Sequence, residues 1–363
     1  MSALKTDVLV VGAGPAGSTV ARYAALQGLD VTIIERRSRI GVPVRCGEFM
    51  PSIDEVRGMF PEAAGMEELF DIPSPLRRRE IEAIRLVTPK GRSYDLPFQG
   101  YSTDRDRFDQ HLASQAVSAG AELMTSCAFQ RREGDRFMTS QGPIEAKVLV
   151  GADGPGSRVA RETGLPLPKD PYPAVTAQAE GDFEPVLVMF FGGIAPGAYG
   201  WIIPKDGGAN VGVGHNPRLA DRSTSEYFRR FAEGQGFSLE GRVSGKHVPA
   251  QGPISPIHGE GVLTVGDAAG HVMAVNGGGV PLAMIGGRLA ADAIGGHLLR
   301  GEPLSLYEDA CRRALFPRLR SAAWTKLLAD TFAFGSDLRT EWCMLALGRR
   351  RMAKMLRCRF PFP

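Results

Sequence analysis

Apolar positions along the chain change their period several times, and each change marks an element. Val8 to Val11 is an unbroken apolar run that follows Asp7 and ends in glycine, as expected of a strand buried on both faces. Pro15 to Leu26 then has helical composition with proline at its start, and Val31 to Ile34 is a second buried strand. Residues 7–34 therefore predict a βαβ unit. Phe108, Leu112 and Ala116 recur at four-residue spacing and Gly120 follows, which predicts a helix over 105–119. From 174 to 215 the runs shorten to Ala174–Ala179, Val186–Phe191, Tyr199–Ile203 and Asn210–Gly214, separated by Gly, Pro and Asp, and predict an antiparallel sheet. A buried strand returns at 262–267 and a helix at 279–299, so a first domain resumes after an inserted one. Beyond Pro303, Ser305 followed by Glu308 predicts a capping box that opens a helical C-terminal region.

A chain of 363 residues exceeds what one hydrophobic core usually holds, and 43% apolar residues suffice to fill more than one. The division that follows is residues 1–75 with 100–165 and 250–300 as one discontinuous unit, 76–99 with 166–249 as an inserted sheet domain, and 301–363 as the helical region. A formal charge of +3 argues against a nucleic-acid partner. The tail differs: Arg349, Arg350, Arg351, Lys354, Arg357 and Arg359 alternate with Met352, Met355, Leu356 and Phe360, which reads as a solvated helix end or as a contact for anionic lipid headgroups. Five cysteines without CxxC spacing, and no secretory signal, lead us to expect thiols, a cytoplasmic protein at most peripheral to a membrane, and no metal site. The weakly charged stretch Gly261–Gly287 carries Asp267 and His271 and is broken by glycine and Pro281, so it reads as strand, loop and helix start rather than a membrane span.

Candidate chemistry begins at Gly12-Ala13-Gly14-Pro15-Ala16-Gly17, a GxGxxG run that follows a strand and opens a helix, with Glu35 at the end of the next strand. In that context the glycines let backbone N–H groups approach a pyrophosphate, and the carboxylate accepts ribose hydroxyls. An acid at Glu35 discriminates against a 2′-phosphate, which leaves FAD or NAD. Asp153 in Gly151-Ala152-Asp153-Gly154 and Asp267 in Gly266-Asp267-Ala268 each follow an apolar strand, where either bonds a polyol hydroxyl or fixes a loop.

With Arg105 ahead of a Phe-Asp helix, these segments resemble the p-hydroxybenzoate-hydroxylase-like FAD flavoprotein superfamily, which shows the four motifs in this order. Three further segments resemble the geranylgeranyl reductase family: Arg45-Cys46-Gly47-Glu48, Tyr199-Gly200-Trp201-Ile202-Ile203-Pro204 with Gly212-Val213-Gly214 downstream, and Gly277-Gly278-Gly279. Within that family the segments resemble those of the digeranylgeranylglycerophospholipid reductases. The resemblance implies an α/β (α+β overall) fold: a Rossmann-like FAD-binding domain, an inserted antiparallel β-sheet substrate domain and a C-terminal helical region. It also implies FAD held by Gly12, Gly14, Ala16, Gly17, Glu35, Arg36, Arg45, Cys46, Gly47, Phe49, Arg105, Ala128, Asp153, Gly154, Gly266, Asp267, Gly278, Gly279 and Val280.

The implied activity is saturation of prenyl C=C bonds in isoprenoid lipids, with a hydride from the flavin and a proton from the protein. An FAD-dependent aromatic or polyketide hydroxylase is the alternative, and a flavin-binding scaffold without turnover a third. Tyr199 and Trp201 lie two apart on a strand and share one face of the sheet. With Pro204, Gly212 and Gly214 they are the expected substrate residues, and glycines at 197, 200, 212 and 214 predict a thinly filled tunnel for an apolar chain. Cys46, Glu48, His271 and Tyr199 are the proton-donor candidates. Without a second GxGxxG, an external donor, NAD(P)H or a reduced carrier, is expected to supply the electrons.

Overall fold

The computed structural model describes residues 3–362. The chain runs β1 (Leu4–Val11), α1 (Pro15–Ala25), β2 (Val31–Ile34), β3 (Phe49–Pro51), α2 (Ile53–Met59), α3 (Met66–Leu69), β4 (Arg77–Val87) and β5 (Ser93–Thr103). It continues through α4 (Arg105–Ser118), β6 (Glu122–Met124), β7 (Phe129–Glu133), β8 (Arg136–Thr139), β9 (Gly142–Gly151), α5 (Arg158–Thr163), β10 (Tyr172–Glu180), β11 (Val186–Phe190), β12 (Gly200–Lys205) and β13 (Gly208–Gly214). Last come α6 (Thr224–Gln235), β14 (Ser238–Val248), β15 (His258–Gly259), β16 (Val262–Thr264), α7 (Val280–Arg300), α8 (Leu306–Ala314), α9 (Phe316–Phe332) and α10 (Asp337–Leu356).

The first sheet has the order β15-β16-β9-β1-β2-β6, with β16, β9, β1, β2 and β6 parallel and the β7–β8 hairpin attached to β9. Val8 to Val10 are fully buried because helices cover one face and the hairpin the other. Helix α1 begins with proline at its first turn and buries nine of its eleven residues. It packs against α7 closely enough that a side chain at Gly287 would stand 2.8 Å from the Ala16 carbonyl oxygen. Part of the glycine run at 277–287 therefore serves helix packing.

The second sheet has the order β14-β10-β13-β12-β11-β4-β5-β3. Every pair is antiparallel except β11 with β4, which is parallel, a departure from the all-antiparallel expectation. Strand β3 and the end of β5 belong to this sheet, so it takes in residues 49–51 and 100–103, which the sequence division had given to the first unit. Residues 262–267 also divide, into the strand β16 and a 3-10 turn at Gly266–Ala269.

The capping box at Ser305 does not form. Ser305 is already helical and its side chain caps nothing, while Glu308 accepts from the Ile257 N–H (3.0 Å) and from the Ser255 hydroxyl. A buried carboxylate finds more donors on the 255–257 loop than on a single helix end. The basic tail is likewise drawn in: Arg357 pairs with Glu55 and donates to the Pro97 carbonyl, and Arg359 donates to the Gly58 carbonyl. Arg349, Arg350, Arg351 and Lys354 stay exposed.

Candidate active site

The glycines of the first turn divide by role. Gly12 has φ +106°, and a Cβ on it would meet the Ala152 carbonyl oxygen at 2.5 Å. A Cβ on Gly17 would lie 1.9 Å from the Gly12 carbonyl oxygen. Both let β1, α1 and the turn at 152 touch. Gly14 is different: it is the N-cap of α1, makes no side-chain cap, and an added Cβ there would have nothing within 4 Å. The first turn of α1, with Ala16 in it, thus opens on free space where N–H groups and the helix dipole suit an anion. Glu35 stands at the rim: one carboxylate oxygen accepts from the Ala13 N–H at 3.1 Å and the other from the Arg37 N–H at 3.0 Å. Arg36 and Arg45 are exposed around it, and burial followed by the nearby Arg45 charge lowers the basicity of Arg37. The Ala128 N–H donates to the Ser140 hydroxyl and its carbonyl accepts from the Ser140 N–H.

The two aspartates also divide. Asp153 accepts from the Arg158 and Val159 N–H groups at 2.6 and 3.3 Å and so fixes the turn at Gly154, while its second oxygen is buried with no partner among the described residues. Asp267 pairs with Lys246 of β14 at 2.5 Å. Beside it, a Cβ on Gly279 would lie 3.2 Å from its other oxygen, and one on Gly266 would lie 2.9 Å from the Ala16 methyl. The starts of α1 and α7, including Gly278 and Val280, therefore converge on the 266–267 turn. An uncapped helix end, a rim carboxylate and an orphaned aspartate oxygen together suit a dinucleotide.

Next to this crevice, the segment 45–48 is bolted down through Glu48, which is 1% exposed and sits at φ +67°, a conformation rare for a side-chain-bearing residue. Its carboxylate accepts from the Arg105 N–H (3.0 Å), Gln178 (2.8 Å), Asn210 (2.8 Å) and Lys205 (2.7 Å). Glu48 is therefore a pin between α4 and the second sheet. The fixed loop presents Cys46, whose sulfur accepts from the Arg105 guanidinium at 3.0 Å and from the Glu48 N–H at 3.3 Å. Burial alone would lower the pKa of Arg105, but its two-pronged ion pair with Asp109 and its contact with the Cys46 sulfur outweigh it and raise it. Arg105 so positions the thiol by touching it directly. Phe49 packs on Phe98 with ring centroids 6.1 Å apart and closes against Gly100.

Tyr199 and Trp201 do share one face, with ring centroids 6.0 Å apart. Trp201 donates to Asn210 Oδ1 at 2.8 Å, and its ring lies so close over Gly212 that a Cβ there would be 2.1 Å away. Gly47 is bounded by Ile203 and Trp201, and Gly200 by the Phe231 ring. Gly200 and Gly212 make room for aromatic rings of the protein itself and Gly197 for Asn216 and Leu219, which corrects the expectation of a thinly filled tunnel around these three. Pro204 is buried in β12, and Gly214 donates its N–H to the Tyr199 carbonyl. The Tyr199 hydroxyl donates to the Asn276 carbonyl, and burial, then the neighbouring Cys46, push its pKa up.

His271 is set apart. It is fully buried, packs against Gly286 and the edge of Phe316, and has no hydrogen-bond partner on either nitrogen among the described residues. Burial lowers its pKa to about 4, so near neutrality it is an uncharged ring with no proton ready to give. The residues missed from sequence are Asn210, Gln178, Lys205 and Lys246. Asn210 and Lys205 left a signal as polar positions in otherwise apolar strands. An open cleft of about 710 Å³, lined by Arg132, Lys147, His258 and Pro303, shares no residue with this site. Among the described residues there is no cluster of metal-ligating side chains.

Comparison with known proteins adds four findings. A family model for an NAD(P)-binding Rossmann-like domain matches residues 10–58. Digeranylgeranylglycerophospholipid reductase 1 of Methanothermobacter thermautotrophicus is 33% identical over 343 residues, covering 86% of this chain and 83% of that protein. The digeranylgeranylglycerophospholipid reductase of Methanocaldococcus jannaschii is 34% identical, covering 87% and 84%. The crystal structure of a geranylgeranyl bacteriochlorophyll reductase-like protein from Thermoplasma acidophilum matches with a TM-score of 0.82 at 27% identity, covering 93% of this chain and 89% of that one.

Two outcomes follow from this geometry. Gly14→Val should purify folded but without dinucleotide, whereas Gly17→Val should lose about 3 kcal/mol of stability because its side chain overlaps backbone. Visible absorbance and thermal melts of cofactor-stripped protein read both, and full cofactor in Gly14→Val would refute the role of the opening. For His271, the folded chain takes the proton only near pH 4 and the unfolded chain near 6.5, so stability is whole above 6.5 and falls between 6.5 and 4. The loss should approach about 3 kcal/mol, and His271→Leu should flatten that part of the curve of urea midpoint against pH.

Proposed function

Because the chain belongs to the digeranylgeranylglycerophospholipid reductase family, we propose that it saturates C=C bonds in the prenyl chains of a glycerophospholipid, with FAD as its cofactor. One observation carries this reading. Tyr199 donates to the Asn276 carbonyl and bounds Gly277 just ahead of α7, and Trp201, packed on Tyr199, bounds Gly47 beside Cys46. Gly14 at the opening of α1, Glu35, Asp153 and Asp267 would hold FAD, which would supply the hydride to one carbon of the double bond, the electrons coming from an external donor, NAD(P)H or a reduced carrier.

The other carbon needs a proton from the protein. Cys46 is the group best suited, since it is only partly buried and the Arg105 guanidinium 3.0 Å away balances the charge left on sulfur. Tyr199 is weaker because its proton is committed to the Asn276 carbonyl and its ionisation is suppressed by burial. Glu48 has its carboxylate filled by four donors. Arg105 and Glu48 hold the thiol in place, while Trp201, anchored to Asn210, forms the apolar wall that excludes water from the double bond.

Anaerobic incubation of a prenyl lipid with the holoenzyme and dithionite should add the mass of one H₂ per double bond. Addition of oxygen in air instead would select the hydroxylase. Cys46→Ser should slow reduction at least tenfold, about 1.4 kcal/mol of barrier, at wild-type FAD content and flavin reduction rate. Full product formation by that variant would remove Cys46 from the reaction.

A further inference from the structure

Helices α9 and α10 carry large apolar side chains that the fold does not cover. Trp324, Leu327, Leu328 and Phe332 fall at i, i+3, i+4 and i+8 of α9 and are 62%, 54%, 36% and 65% exposed. Leu338 and Trp342, one turn apart on α10, are 57% and 65% exposed. The opposite stripe of α9, with Phe316, Leu319 and Ala322, is buried in the core. Helix α9 is thus apolar on two sides, and only one has a partner within the chain. Two of the three tryptophans in the protein stand on the uncovered side. Tryptophan suits a surface that is apolar on one side and wet on the other.

Exposed charge on these helices is mainly positive, with Asp337 the one exposed acid. Arg320, Arg339, Arg349, Arg350 and Arg351 are exposed. The acids are engaged elsewhere: Asp330 with Lys326 and Tyr172, Asp337 with the Gly193 N–H, and Glu341 with the Lys90 N–H. A second copy of the chain would oppose the same positive rim to itself, whereas an anionic bilayer complements it.

The uncovered face is also continuous with the active site. The turn at 333–336 joins the two helices, and its Phe334 stacks on Phe191 with centroids 6.1 Å apart and planes at 7°. Phe191 contacts Tyr199 at 6.0 Å, and Tyr199 contacts Trp201. A file of aromatic rings therefore runs from the tip of the hairpin to the wall beside Cys46.

We propose that the α9–α10 hairpin is the docking face for an anionic phospholipid bilayer: its tryptophans and Phe332 enter the headgroup boundary, and the prenyl chain leaves the bilayer along Phe334, Phe191 and Tyr199. The route rests on the reading of the chain as a prenyl-lipid reductase. The docking face does not.

The test uses full-length holoenzyme and sedimentation with phosphatidylglycerol or phosphatidylcholine vesicles. Wild type should co-sediment with the anionic vesicles, and less so as salt rises. The triple variant Trp324→Ser, Phe332→Ser, Trp342→Ser alters only exposed side chains. It should lose at least tenfold in partition and reduce vesicle-borne prenyl lipid more slowly, yet keep its FAD and match wild type on lipid dispersed in detergent. Wild-type partition by the triple variant would overturn the proposal. So would a wild type that is dimeric without vesicles and becomes monomeric in the variant, since the face would then belong to a second copy. Wild type that binds vesicles but leaves detergent-dispersed lipid unreduced would overturn the reductase reading while supporting the docking face.

Discussion

The carboxylate of Glu48 is where α4 of the first unit is tied to the second sheet, and the geometry of the site depends on it. Its backbone lies in the left-handed region, which costs a residue with a side chain on the order of 1–3 kcal/mol. Its side chain is removed from water, which costs more unless the charge is met. Four donors from α4, β10, β12 and β13 meet it, so the strained loop persists because the surroundings over-determine it. That pin, together with the Asn210 amide on the Cys46 carbonyl, holds Cys46 at the Arg105 guanidinium.

Asn210 extends the same logic into the second sheet. One side chain receives the indole N–H of Trp201 and the Thr176 hydroxyl, and donates to both Glu48 and the Cys46 carbonyl. The aromatic wall and the thiol loop are thus set by one amide, and neither can shift without leaving a buried polar group unpaired. Gly212 is the complement of this arrangement, because only a residue without a side chain lets the indole lie flat on β13.

The C-terminal helices serve the same design at the periphery. Their inward residues close the core, and Arg357 and Arg359 fasten the last turn to α2 and β5. No helix among the described residues is long and apolar enough to cross a membrane. What the helices leave outward is an apolar face with a mainly cationic rim.

Local pattern alone determined the βαβ unit, the helix at 105–118, the four strands between 172 and 214 and the resumption of the first sheet at β16, because period and glycine punctuation are properties of neighbouring residues. The turn at Gly14, the carboxylate at Glu35 and the pairing of Tyr199 with Trp201 on one face were legible for the same reason. Tertiary structure alone decided how those groups are used. That Gly17 and Gly287 serve packing, that Gly212 accommodates a protein ring, that Glu308 leaves its helix cap for the 255–257 loop, and that His271 is sealed away from the thiol all depend on contacts between distant segments. The parallel pairing of β11 with β4 is of the same kind, since strand direction in a sheet is set by the route of the chain and not by the strand's own alternation.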